Sequence, residues 1–373
     1  MFINFINQFF RFNNMDKQLK VGIIGCGKIA KKHIKFLEEN PNTKIVAVCD
    51  NKEERAKNAS IATGNVPYYL DYNEMLQKED MDIVHICSPS GLHPSMSIDC
   101  LKSGFHVLCE KPMALNLRDA DKMIEAERES GKKLFIVKQN RFNPPIIVLK
   151  DVVYKRFIGD VHTIISQVLW NRRQDYYDEE PWRGTLSLDG GALYTQSCHF
   201  LDLMIWIGGR VKSVYAKMNN FTHPNIETED TGTLIIIFES GAKGILNYTT
   251  STFEKNCEGS ITVLGTKGTI KVGGEYLNEL EHWHVEGYPC PKLPESAPAN
   301  DYGSYKGSMS NHDKVIQNVV DVLFNNATIT TNSLQGRESI EVMQAAHISA
   351  RTNKEIFLPL GGEEYSFSFE SKK

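Results

Sequence analysis

A lysine at the end of an apolar run carries chemistry open to this sequence. Lys111 stands in Glu110-Lys111-Pro112, directly after a short apolar run that starts at His106. A lysine at the carboxyl end of a buried strand faces the crevice where α/β proteins hold ligands. It can donate to a carbinol oxygen and stabilise charge as that carbon becomes a carbonyl. Burial lowers an ammonium's pKa, so the same group can move a proton. His199 lies on a helical pattern that follows Gly190-Gly191, and Asp202 comes one turn later. An imidazole with a pKa near neutrality suits acid–base work. Asp202 suits orienting a neighbour or closing the helix turn.

The first strand leads into a site for a dinucleotide. Gly25-Cys26-Gly27-Lys28-Ile29-Ala30 is a G-x-G-x-x-A motif between a strand and a helix. Gly25 permits the tight turn, Gly27 lets backbone approach a pyrophosphate, and Ala30 lets helix pack close to strand. The helix N-terminus offers free N–H groups to phosphate, with Lys28 and Ile29 at its mouth. The second strand ends in Asp50, placed to accept both ribose hydroxyls of NAD and to repel the 2′-phosphate of NADP. Asn51 supplies no cation, and Lys52 is the one nearby, so NAD is preferred.

The elements that position these residues change character along the chain. Residues 21–139 alternate apolar β-rich runs (VGIIGCG, KIVAVCD, VPYYL, DIVHICSPS, HVLCEKP, LFIVKQ) with amphipathic helical stretches. That grammar predicts a doubly wound parallel sheet buried on both faces. After Pro144 a helix over PPIIVLKDVVYKRFIG leads to an alternating strand, VHTIISQVLW. A helix-like run covers Ala192–Trp206. TGTLIIIFESGAKGILNYTTST and ITVLGTKGTIKVGG read as hairpins, and two helices close the chain near His312–Asn325 and Arg337–Asn353. The second half therefore predicts an α+β unit on a largely antiparallel open sheet. The expected organisation is an N-terminal extension to residue 19, probed by no pattern and read as disordered; a dinucleotide domain at 20–143; a substrate and oligomerisation domain at 144–360; and a polar tail at 361–373.

Composition fits a soluble globular chain of 373 residues with a net charge of -4 and scattered Lys and Arg, which argues against nucleic acid as a partner. No apolar run approaches the roughly 20 residues of a membrane span. Eight cysteines with no CxxC pair read as reduced thiols in the cytoplasm. His282-Trp283-His284 puts two imidazoles on one strand face, but no third ligand is evident, so no metal is expected.

The fingerprint, Ser88-Pro89 with His93, the Glu-Lys-Pro triplet and Arg141-Phe142-Asn143-Pro144 together resemble the Gfo/Idh/MocA oxidoreductases over about Lys20–Leu360. The resemblance implies a Rossmann domain followed by an α+β domain, and sugar or cyclitol substrates oxidised through a nicotinamide cofactor. It extends the cofactor site to Ser88, Pro89, His93, Glu110, Lys111 and Gln139. It makes Lys111 and His199 the catalytic pair. The family helix reads G-G-x-x-x-D-x-G-x-H-x-x-D; here Thr195 replaces the upstream Asp and Ser197 the Gly, which leaves proton transfer to His199 or Lys111.

Residues 170–177, 181–185, 188–191 and 196–199 are similar to a subgroup that oxidises UDP-N-acetylglucosaminuronate at C3 for surface polysaccharides. That substrate carries a diphosphate and a carboxylate. Lys138, Arg141, Arg172, Arg173 and Arg183 cluster at the expected crevice, and Arg suits bidentate contacts to such anions. Tyr176, Gln196 and His312 join the substrate candidates, with Ser308 weaker. Trp182 and Arg183 also suit contact with the cofactor. The subgroup implies 2-oxoglutarate as a hydride acceptor and a homodimer or homotetramer. Three alternatives stay open: a dehydrogenase of a free sugar or inositol, an NAD-using glycosidase, and a non-catalytic sensor.

Overall fold

The computed structural model describes residues 17–303 and 305–367. The first sheet holds β1 (Leu19–Ile24), β2 (Thr43–Cys49), β3 (Tyr68–Tyr69), β4 (Ile83–Ile86), β5 (His106–Cys109) and β6 (Leu134–Ile136). Its order is β3-β2-β1-β4-β5-β6, with every pair parallel. The order reverses between β1 and β4, and that reversal opens the ligand crevice. The crossovers carry α1 (Ala30–Glu39), α2 (Glu53–Ala62), α3 (Tyr72–Lys78), α4 (His93–Lys102) and α5 (Leu117–Ser130). The run VPYYL yields only a two-residue strand. Pro67 has no N–H to give a ladder, although its carbonyl accepts from Val48 N at 3.1 Å.

The second half opens with α6 (Pro144–Tyr154), β7 (Val161–Leu169) and α7 (Gln174–Asp178). Helix α6 stops before KRFIG, where Arg156 (φ 59°) and Gly159 (φ 77°) turn the chain left-handed. The predicted helix from Ala192 begins as one π-helical turn, Leu193–Ser197, and becomes α8 (Cys198–Gly208). Then follow β8 (Val211–Asn219), β9 (Thr231–Phe238), β10 (Lys243–Thr249), β11 (Glu258–Gly265), β12 (Gly268–Gly273) and β13 (Glu279–Val285). With β7 and a late strand, β16 (Ile356–Phe357), they form one sheet ordered β13-β12-β11-β7-β10-β9-β8-β16. Only β7–β10 is parallel. Both predicted hairpins, β9–β10 and β11–β12, are present.

A small ribbon, β14 (Ala299–Asp301) with β15 (Lys306–Met309), follows β13. After it, α9 (His312–Asn325) returns to the first sheet. Its Val315, Ile316 and Val319 share one core with Leu19, Val21 and Leu37. Helix α10 (Ser333–Thr352) caps the second sheet and joins its core through Ile340, Val342 and Met343. The expected polar tail is partly ordered: α11 (Gly362–Tyr365) packs back, with Tyr365 Oη donating to Asp121 at 2.8 Å. At the other end Leu19 already belongs to β1; residues 1–16 of the expected extension and 368–373 of the expected tail lie outside the described residues.

Candidate active site

Both units open onto one cleft of about 460 Å³ along the carboxyl ends of β1, β2, β4 and β5. At one end Gly25 (φ 89°) turns the chain against the Cys87–Ser88 backbone, which a Cβ would strike at 2.7 Å. Gly27 faces open space. Ile29 precedes helix α1 and gives it no side-chain cap, so its first N–H groups are free for phosphate. Asp50 accepts from Cys26 N and from Lys52 N, both at 2.8 Å, and each oxygen keeps a lone pair for a ribose hydroxyl. His93 braces the two neighbouring loops, with its ring nitrogens 2.7 Å from Pro112 O and 2.9 Å from Ser88 O. Lys28, Asn51, Ser88, Pro89, Gln139 and Trp182 also line this cleft. The backbone cradle and the carboxylate beyond it fit a dinucleotide.

At the centre Lys111 Nζ donates to Thr195 O at 2.8 Å. This ties the end of β5 to the π turn of the second unit. That turn matters because a π bulge shifts the register by which side chains face the cleft. His199 is buried, with Nε2 3.4 Å from Gln139 Nε2. Desolvation first, then the charges of Lys111 and Lys138, hold its pKa well below the ordinary value. The expectation of a pKa near neutrality is therefore corrected: His199 is a neutral imidazole in the resting site.

Glu110 sits beneath Lys111. Its Oε1 is 2.9 Å from His33 Nε2 and 3.3 Å from His312 Nε2, and its Oε2 accepts from Lys111 N at 3.2 Å. Burial alone would raise its pKa, but the close approach of His312 and the hydrogen bond with His33 outweigh that and hold it well below the carboxylate range. The chain continues from His33 Nδ1 to His85 Nδ1 at 3.0 Å. Sequence reading did not find His33 or His85, since a lone histidine on an amphipathic helix or in an apolar strand carries no signal of its own. His282 and His284 are exposed on β13, away from this cleft.

Two expected substrate residues lie elsewhere. Arg141 does not line the cleft. It is buried and holds Asp202 in a fork, Nε to Oδ2 and Nη2 to Oδ1, both 2.8 Å. Its third nitrogen, Nη1, donates to Gln335 at 2.7 Å. Lys138 joins the same carboxylate at 3.2 Å. Burial opposes the charge on Asp202, but Arg141 and Lys138 bring its pKa down to about 2. Arg141 is thus a clamp between α8 and α10, because its charge is consumed before it reaches the cleft. Arg173 is exposed and pairs with Asp175 at 3.5 Å. Its neighbour's inward turn on the extended backbone sends it outward.

Arg172 does reach the cleft and is buried. Its Nη2 donates to Gln196 Oε1 at 2.9 Å, and Gln196 donates to Tyr176 Oη at 3.1 Å. Its guanidinium lies over Tyr305 at 4.7 Å and Trp170 at 5.2 Å. Its Nε has no hydrogen-bond partner, and among the described residues no carboxylate pairs with it. Arg183 stacks on Tyr176 at 4.1 Å and pairs with Glu179 at 2.8 Å. His312 and Ser308 line the same wall, and Ser308 Oγ accepts from Gln139 at 3.0 Å. Tyr302, Tyr305 and Asn300, from the small ribbon, complete it. These three escaped sequence reading; paired tyrosines around a glycine turn were the available signal.

Residues 19–138 match the oxidoreductase family model with an NAD-binding Rossmann fold, and residues 146–271 match the model of the Gfo/Idh/MocA C-terminal domain. The WlbA dehydrogenase of Bordetella pertussis, solved with NADH and UDP-GlcNAcA, is 34% identical, with a TM-score of 0.84 over 92% of this chain and 100% of that one. The chain belongs to the Gfo/Idh/MocA oxidoreductase family. It is an NAD-dependent dehydrogenase. The WlbA enzyme of Chromobacterium violaceum, also solved with NADH and UDP-GlcNAcA, is 37% identical, with a TM-score of 0.85 over 93% of this chain and 98% of that one. A myo-inositol 2-dehydrogenase from Thermotoga maritima is 28% identical over 256 residues, 68% of this chain and 74% of its own length. No helix among the described residues is long and apolar enough to cross a membrane.

Proposed function

We propose that this dehydrogenase oxidises the C3 hydroxyl of a UDP-linked N-acetylamino-sugar uronate. Arg172 carries the reading. A fully desolvated guanidinium on a cleft wall is costly unless an anion completes it. A uronate carboxylate meets that need in a fork geometry, against an aromatic wall of Tyr176 and Tyr305 that suits a sugar face. The relatives solved with UDP-GlcNAcA support the same substrate class.

NAD, when bound, accepts the hydride. Lys111 donates from Nζ to the substrate hydroxyl oxygen and stabilises it as charge develops. His199, a neutral imidazole, takes the hydroxyl proton. Glu110 stays ionised beside Lys111 and keeps a compensating charge there. Arg172, Gln196 and Tyr176 orient the sugar, and His312 closes the wall next to Glu110. Gly25, Gly27, Ile29, Asp50 and Ser88 hold the dinucleotide.

The same reading includes 2-oxoglutarate as the acceptor that reoxidises NADH. It also includes a division near Asn143, with α9 returning to the first unit. A second copy would cover the outer sheet face, where Ile235 and Ile245 are 46% and 36% exposed. The test is NADH formation with three kinds of compound: UDP-N-acetylglucosaminuronate, UDP-N-acetylglucosamine, which lacks the sugar carboxylate, and free polyols including simple sugars and inositol. Turnover confined to the uronate supports the proposal. Equal turnover of free sugars or inositol overturns it, and glycoside cleavage without net NADH would replace it with a glycosidase.

A further inference from the structure

Beyond Asp50 the cofactor cleft contains two cations. Lys52 and Arg55, at the start of α2 (Glu53–Ala62), line it together with Asp50. A Lys or Arg at this corner is what a ribose 2′-phosphate requires. Asp50 and these two cations give opposed signals: a carboxylate that disfavours NADP and cations that favour it.

The structure resolves the conflict from the far side of the cleft. Glu180, on the segment after α7 (Gln174–Asp178), reaches across and takes both cations. Its Oε1 is bonded to Arg55 Nη2, and its Oε2 lies 3.4 Å from Lys52 Nζ. The Glu180 carboxylate is 14% exposed, against 35% for Arg55 and 51% for Lys52, so it is the inner member of the group. Burial opposes its charge, but Arg55 and then Lys52 keep it ionised. Next to it, Glu179 pairs with Lys28, the cation at the mouth of the glycine turn. No charge-pair rule within the first unit would reveal this, because the partner lies 125 residues away.

We propose that Glu180 is a cofactor-specificity residue: by occupying Arg55 and Lys52 it denies a 2′-phosphate its counter-ions and, with Asp50, restricts the enzyme to NAD. A 2′-phosphate entering here would meet two carboxylates and two cations already engaged. NAD places only a neutral hydroxyl at that point and loses nothing. The inference concerns the adenosine end and requires no particular sugar.

The test is titration of the purified chain with NADH and with NADPH, without sugar, followed by nicotinamide fluorescence. Leaving out sugar keeps its outcome separate from that of the substrate reading. Glu180→Gln should tighten NADPH by about tenfold, the value of one released charge-assisted contact, and leave NADH within about threefold. Adding Arg55→Gln to Glu180→Gln should remove the gain. Glu180→Ala is the second variant, with the same expectation should the amide find another partner. An unchanged NADPH/NADH ratio in both variants would overturn the proposal. So would equal weakening of both cofactors, which would mark Glu180 as a domain brace alone.

Discussion

Lys111 Nζ and the Thr195 carbonyl oxygen, 2.8 Å apart, join the strand that ends the dinucleotide site to the π turn that begins the catalytic helix. The contact fixes the ammonium of Lys111 from the side where this family's helix pattern has an aspartate and this chain has Thr195. Lys111→Ala should cut kcat by about 10²–10⁴-fold while NADH affinity changes little. Steady-state kinetics beside a NADH titration checks both. A non-catalytic sensor would show no rate to lose.

Arg141 and Arg172 should separate cleanly, although sequence gave them one role. Arg141→Ala leaves Asp202 buried with Lys138 alone, and should lower stability by about 3 kcal/mol in a denaturant titration. Arg172→Met removes a cation with no carboxylate partner among the described residues, so stability should hold. Its KM for a uronate should rise by about 10²-fold or more, with far less effect on a UDP-sugar that lacks the carboxylate. Arg173→Ala, on the surface, should change neither.

Glu229 predicts a pH dependence of stability. It is buried, accepting from Leu193 N at 2.9 Å and Tyr248 Oη at 3.2 Å. Burial, the largest cause, raises its pKa to about 8 from 4.5. Between those values the folded chain holds a proton that the unfolded chain has released. Stability contributed by this site therefore falls as pH rises from 4.5 to about 8. Glu229→Gln should flatten that part of the curve and raise the melting temperature at pH 8 by a few degrees. A curve with the original slope would contradict the assignment.

His199 predicts the opposite of an ordinary histidine limb. Its pKa is held well below 6.5, so it stays neutral through the physiological range. kcat/KM should show no loss near pH 6.5 that vanishes in His199→Asn. A limb centred there and removed by the substitution would show that the imidazole titrates in the free enzyme.

The cofactor half of the site was legible because its physics is local. Gly25, Gly27 and Asp50 act through backbone turns and a strand end, which leave patterns within one βαβ unit. The substrate half depends on tertiary direction. Arg172 and Arg173 are neighbours, yet one turns inward beneath Tyr305 and the other into solvent. Arg141 looked like an anion binder until Asp202, sixty-one residues on, claimed it. Tyr302 and Tyr305 reach the cleft on a ribbon whose sequence lacks an alternating apolar face. The His33–Glu110–His312 group draws on α1, β5 and α9, three distant segments that only the folded core brings together.

The most direct measurement is mass spectrometry of UDP-N-acetylglucosaminuronate after incubation with the purified chain, NAD and 2-oxoglutarate. The account predicts that the sugar loses two hydrogens while 2-hydroxyglutarate appears. An unchanged nucleotide sugar, with NADH bound as expected, would contradict the substrate assignment and leave the fold and cofactor site standing.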